Sequence, residues 1–239
     1  MVGYNDIFYS EMAKFSSSSA KFIVPLLLEN YKVKSVVDFG CGDGQFISEF
    51  LKHGLDEVVG VEGSWIRDVI DLSTAPWLKI ADLNLIQEFN KKFDLAICLE
   101  VAEHLESEYA SNLIMSLTNA SDLVFFSAAI PGQGGTNHVN LQYPDYWASL
   151  FWERGFVLVW DPRKILWANK DVAPWYQQNC LLFAKSDLGE AQKIEPALFR
   201  HPDIFPELQT NLYKAKKLPK RIQKRISKNF REIFRTNVQ

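Results

Sequence analysis

Val36-Val37-Asp38-Phe39-Gly40-Cys41-Gly42-Asp43-Gly44-Gln45-Phe46 is the stretch whose reading decides the fold of this chain. Two β-branched residues lead into an acid, and glycines then recur at every second position before an apolar, helix-like run. The pattern predicts a buried strand, a tight turn whose backbone lies open to a ligand, and a helix N-terminus facing that ligand. The spacing Gly40-x-Gly42-x-Gly44 differs from the G-x-G-x-x-G dinucleotide fingerprint, and no Gly-Lys-Ser/Thr of a phosphate loop follows.

Working outward, six further apolar runs read as strands: Glu57–Glu62, Leu78–Leu83, Phe93–Leu99, Asp122–Ala129, Gly155–Trp160 and Cys180–Lys185. Between them, Leu105, Tyr109, Leu113 and Leu117 repeat at helical spacing over Leu105–Thr118, and Tyr146–Glu153 reads as an aromatic-rich helix. Strands alternating with helices predict an α/β fold with a doubly wound, mostly parallel sheet. In such sheets ligands bind beyond the carboxyl ends of the strands. Asp38, Glu62, Asp82 and Glu100 all fall at such ends.

The strand-end acid followed by G-x-G-x-G, with further acids after the next strands, resembles the class I, Rossmann-like S-adenosylmethionine-dependent methyltransferases over roughly residues 30–185. That resemblance implies a seven-stranded sheet with its last strand antiparallel. It also implies that Asp38, Gly40, Cys41 and Gly42 wrap the methionine part of the cofactor. Glu62 would accept from both ribose hydroxyls, Asp82 would bind the adenine amino group with Leu83 nearby, and Glu100 would complete the site. A carboxylate suits a vicinal diol independently of any family, and Glu62 follows the glycine loop at the distance expected for ribose recognition.

A second cluster is Leu99-Glu100-Val101-Ala102-Glu103-His104-Leu105. Were a helix to begin here, Glu100, Glu103 and His104 would share one face. His138 lies in the glycine-rich loop Pro131–His138 after the fifth strand. Three readings stay open. These residues bind a divalent metal, as in the Glu-x-x-Glu-His pattern of the small-RNA ribose 2′-O-methyltransferases that this run resembles. Alternatively, His138 or His104 is the general base for an attacking hydroxyl, His138 being preferred with His104, Glu103 and Glu100 as its partners. In the third, Glu103 and His104 merely solvate a helix start. Mixed His and carboxylate ligation would favour Zn or Mn over Mg.

Five of the seven tryptophans fall between residues 143 and 176. Trp167, Trp175 and Tyr176, with Asn169, Gln177, Gln178 and Asn179, are read as an acceptor pocket suited to sugar rings, whose faces stack while their hydroxyls hydrogen-bond. The expected activity is O-methylation of a sugar or glycan hydroxyl. The alternatives are an RNA ribose or small-molecule O-methyltransferase, or a non-catalytic scaffold of the same fold.

The bulk composition sets the remaining bounds. A chain of 239 residues with 47% apolar content supports one substantial core. The net charge of −3 hides an asymmetry, since residues 211–239 hold ten Lys and Arg against one acid and the rest is strongly acidic. The acidic body disfavours nucleic acid. Ile222, Ile226, Phe230, Ile233 and Phe234 mark a basic amphipathic helix able to meet an anionic membrane or glycan. No signal peptide or membrane span is evident, and Cys41, Cys98 and Cys180 form no metal pair, so a cytoplasmic protein with reduced thiols is expected. The domains expected are an N-terminal arm or lid at 1–19, a methyltransferase domain at 20–190 and a C-terminal extension at 191–239.

Overall fold

Alternation along the strands sorts the core onto two faces of one sheet. In the computed structural model, Val37, Phe39, Ala96, Cys98, Val124 and Phe126 belong to one apolar cluster. Their neighbours Val36, Leu95, Ile97 and Phe125 belong to the other. Both faces are covered, which is why these strands read as unbroken apolar runs. The structure describes residues 6–186 apart from 168, together with 196–199, 201, 203 and 204.

The elements in chain order are α1 (Asp6–Asn30), β1 (Ser35–Phe39), α2 (Gln45–Lys52), β2 (Glu57–Glu62), β3 (Leu78–Ile80) and β4 (Leu95–Leu99). They continue with α3 (Ala110–Ala120), β5 (Leu123–Ser127), α4 (Pro144–Glu153), β6 (Phe156–Trp160), α5 (Arg163–Leu166), α6 (Pro174–Asn179) and β7 (Leu181–Lys185). The seven strands run in the order β3-β2-β1-β4-β5-β7-β6. All neighbours are parallel except β7, which is antiparallel to both β5 and β6. The doubly wound sheet with an antiparallel last strand is as expected. Strand order reverses between β1 and β4, so the carboxyl ends of these two strands mark the site.

Three boundaries differ from the sequence reading. First, α1 runs unbroken through Ser16–Ser19, where the end of an arm was expected, and through Pro25. The serines tolerate the helix because the Ser18 and Ser19 hydroxyls donate back to the Phe15 carbonyl, at 3.1 and 2.7 Å. Second, β3 stops at Ile80, and Asp82 then accepts from the Asn84 N–H at 2.9 Å in a turn of its own. Third, no helix begins at Glu100. Short 3₁₀ turns at Ala102–His104 and Ser107–Tyr109 precede α3, and the Glu103 carbonyl accepts instead from the N–H groups of Val139 and Asn140, at 2.9 and 3.0 Å.

Contacts divide the chain into residues 1–199 and 200–239. The expected basic helix of residues 211–239 lies outside the described residues. Among the described residues no helix is long and apolar enough to cross a membrane.

Candidate active site

The glycine turn after β1 is built largely from backbone. Gly40, Gly42 and Gly44 all have left-handed φ, at 76°, 53° and 81°. At Gly44 the requirement is also steric, because an added Cβ would lie 2.5 Å from the Trp77 ring that roofs the turn. Nothing lies within 4 Å of the corresponding position on Gly42, so that face of the turn is open.

Glu62 closes the turn from β2. Its two carboxylate oxygens each accept one backbone N–H, from Gly42 and from Gly63, both at 2.8 Å. The Trp65 side chain donates to the same carboxylate, which still keeps acceptor capacity. Burial raises the Glu62 carboxyl above its usual range, and these backbone donors pull it back. Asp38, buried at the end of β1, is raised further by burial and by the Glu62 charge. Burial also pushes the Cys41 thiol up, which keeps it protonated. Asp82 is exposed, with Oδ1 accepting from the Asn84 side-chain amide at 2.9 Å, and Leu83 is buried beside it. The sequence placed Asp38 and Glu62 correctly at the ends of their strands, while Asp82 and Leu83, read as the end of a strand, lie in the turn after β3. It missed Trp77.

The second cluster forms where the turn after β4 meets the loop after β5. Glu100 adopts φ 56°, a left-handed conformation that is strained for a non-glycine residue. Its N–H donates to the Ser127 carbonyl at 3.0 Å, and its carboxylate accepts from Gln133 Nε2 at 3.0 Å and Asn179 Nδ2 at 3.0 and 3.3 Å. This corrects the expected face of Glu100, Glu103 and His104. The left-handed residue breaks the helical relation and turns the Glu100 carboxylate onto amides.

Glu103, His104 and His138 do converge, each offering a ligating atom within 4.8 Å of the others. The two imidazole rings meet edge to face with centroids 4.9 Å apart. Glu103 is 1% exposed, and its carboxyl lies against its own N–H, the Ala129 N–H and the Glu100 carboxyl, while the His138 ring faces the Gln133 carbonyl. Burial, reinforced by the Glu100 charge, raises Glu103 well above the usual carboxyl range. Burial lowers both histidines, with His138 adding to the effect at His104, while the Gln133 carbonyl partly opposes it at His138. Both rings are therefore neutral near pH 7. A Cβ on Gly135 would sit 2.0 Å from His138 Cε1, so glycine is what lets the ring lie against its own loop.

The polar residues read as an acceptor lining face inward instead. Gln177, Gln178 and Asn179 are buried. Gln177 Nε2 donates to the carbonyls of Asn169 and Val172, at 2.8 and 2.6 Å. Tyr176 is buried, and its hydroxyl meets Ser16 Oγ at 3.2 Å. Ser19 Oγ accepts the Ala173 N–H at 2.9 Å, so α1 is tied to the segment leading into α6. Gln133 and the fully buried Arg163 also went unread. An amide-rich run directly before an apolar strand was the available signal for a buried polar network.

This sheet order, with a glycine turn after β1 and carboxylates after β2 and β3, defines a class I S-adenosylmethionine-dependent methyltransferase. The chain belongs to the family described as a methyltransferase domain, whose model matches residues 12–160. Among solved structures it is similar to DesVI of Streptomyces venezuelae, with TM-score 0.60, 12% identity, and coverage of 76% of this chain and 96% of that one. The sugar N-methyltransferase KedS8 from Streptoalloteichus gives 0.58 at 14% identity, covering 78% and 95%. Magnesium protoporphyrin IX methyltransferase from Synechocystis, with bound SAH, gives 0.57 at 18%, covering 77% and 90%. No curated protein matches the chain.

Proposed function

We propose that this methyltransferase transfers the methyl group to a hydroxyl oxygen of a sugar or glycan, with His138 as the proton acceptor. The observation that carries the proposal is the edge-to-face imidazole pair converging with the buried Glu103. An alcohol does not ionise by itself near neutral pH, so attack on a methyl sulfonium requires a base within reach. A sugar acceptor is in keeping with the activity named for KedS8, which shares the fold.

On the donor side, Glu62 keeps acceptor capacity for a ribose hydroxyl, the second Asp82 oxygen suits an adenine amino group, and the open face of Gly42 admits a ligand against the backbone. Asp38, Gly40, Cys41, Leu83 and Glu100 frame that site. When bound, S-adenosylmethionine supplies an electrophilic methyl and a leaving group that needs no proton. The protein's own tasks are to align the acceptor and to remove its proton. His138 takes that proton while His104 crowds the ring edge-on. Positive charge formed on the imidazole favours the carboxylate form of Glu103 behind it.

One observation favours a second, metal-assisted reading. Three ligating atoms converge, from the buried Glu103, the exposed His104 and the half-buried His138. That donor set fits a transition ion such as Zn or Mn better than Mg. A cation there would lower the acceptor hydroxyl's pKa.

Labelled cofactor offered with nucleoside-diphosphate sugars, glycans and structured RNA tests the acceptor class; label on RNA alone would overturn the sugar reading. Turnover that survives EDTA and is lost in His138→Ala assigns the base. Turnover that EDTA abolishes and Mn or Zn restores assigns the metal.

A further inference from the structure

Gln133 stands where three separate segments meet. Its side chain is 7% exposed, an unusual place for an amide. Nε2 donates to Glu100 Oε2 at 3.0 Å, and Oε1 accepts from Gln178 Nε2 at 2.9 Å and Asn179 Nδ2 at 3.0 Å. Gln178 Nε2 also donates to Asn179 Oδ1 at 3.0 Å, so the three amides close on one another. Beneath them, the Gln178 carbonyl accepts from Arg163 Nη1 at 3.5 Å. That guanidinium is fully buried and forked onto Asp161, at 2.7 and 2.6 Å. The network thus runs from the strained turn after β4, through α6, to the start of α5.

The same residue opens the loop that carries His138. The Gln133 N–H donates to the Ile130 carbonyl at 2.9 Å, which closes a tight turn five residues before the imidazole. A hydrocarbon of the same size would fill this position without needing partners. A buried amide left unpaired costs on the order of 1–3 kcal/mol, so a network satisfied at this many points favours one arrangement of the segments over its neighbours.

We propose that Gln133 is a positioning residue for methyl transfer: its amide ties the His138 loop to Glu100 and α6, and thereby sets where the imidazole stands. The proposal rests on His138 acting upon the acceptor. Gln133 itself touches no reacting atom. Its loss should therefore disturb the imidazole and the turnover rate while leaving cofactor binding alone.

The test has two arms. In the first, histidine Cε1–H resonances of the free enzyme are recorded by NMR, with His138 assigned by its absence in His138→Ala, and S-adenosylmethionine affinity is measured by calorimetry. Gln133→Met is expected to move the His138 resonance and keep the Kd within about twofold, whereas Thr136→Ala, on the exposed side of the same loop, moves neither. An unmoved resonance would overturn the proposal. In the second arm, turnover on a pool of nucleoside-diphosphate sugars is measured for Gln133→Met, His138→Ala and the double variant. Gln133→Met should lose about tenfold in kcat alone and nothing further in the His138→Ala background. A loss that matches the weakening of cofactor binding, or that persists undiminished in the double variant, also overturns it. Full turnover by His138→Ala would instead sink the base assignment and leave the NMR result standing. Should Gln133→Met fail to fold, Asn179→Ala breaks the same network from α6 and carries both arms.

Discussion

The proposed donor and acceptor sides of this site are assembled by different means. The donor side is a local backbone device, a turn of three left-handed glycines closed by a carboxylate that grips two backbone N–H groups. On the proposed acceptor side the His138 loop is held by a side-chain device, in which Gln133 and Asn179 bond to Glu100, at the edge of the donor site, from 33 and 79 residues away in the chain. A backbone device can be altered only at its glycines and its clasp. A side-chain device can be retuned at many positions, as suits the half of the site that must distinguish acceptors.

Substitutions should therefore separate into two classes. The largest expected effect is His138→Ala, with kcat falling about 10²-fold or more and cofactor affinity unchanged by calorimetry. A parallel loss of affinity would erase the division between the two sides. Next, Gly135→Ala puts a methyl 2.0 Å from His138 Cε1, so the imidazole must shift from its place. Turnover should drop about tenfold with little change in Tm, because the imidazole yields rather than the backbone. Glu62→Gln is the complementary experiment on the donor side. It keeps the side-chain shape but replaces one acceptor oxygen with an NH₂ that cannot take a backbone N–H. The Kd for S-adenosylmethionine should weaken about tenfold, with kcat at saturation nearly intact. The smallest effect is on pH dependence. Burial lowers His138, so its neutral form persists below the ordinary range near pH 6.5. Turnover should hold as the pH falls through that range and be lost only below it. An acid limb at or above the ordinary value would exclude His138 as the base.

What the sequence revealed follows the same division. The strand-acid-glycine run, Glu62 and Asp82 could be read because each lies within a few residues of the strand that positions it, and strands announce themselves by composition. Glu103, His104 and His138 were recognised as one group because histidine is scarce, with four in the chain, and two of them follow strands at the same end of the sheet. Glu100 was recognised but misplaced, since nothing in Leu99-Glu100-Val101 reports a left-handed backbone. Gln178 and Asn179 were read as facing a sugar because an amide's polarity suggests solvent or ligand. Only the tertiary structure shows that their partners are each other and Glu100. Ser16–Ser19 misled in the same way, a polar run that proved to be the seam joining α1 to the α6 segment.

The order of the sheet also bears on how the chain comes into being. β7 lies between β5 and β6, pairing Phe125 with Leu182 on one side and Leu158 with Phe183 on the other. During synthesis β6 leaves the ribosome before β7, its one partner among the described residues, and the apolar edge of β5 stays open until residues 181–185 follow. Nascent chains stalled short of that point would expose two unpaired edges, the form in which sheets most readily join to one another.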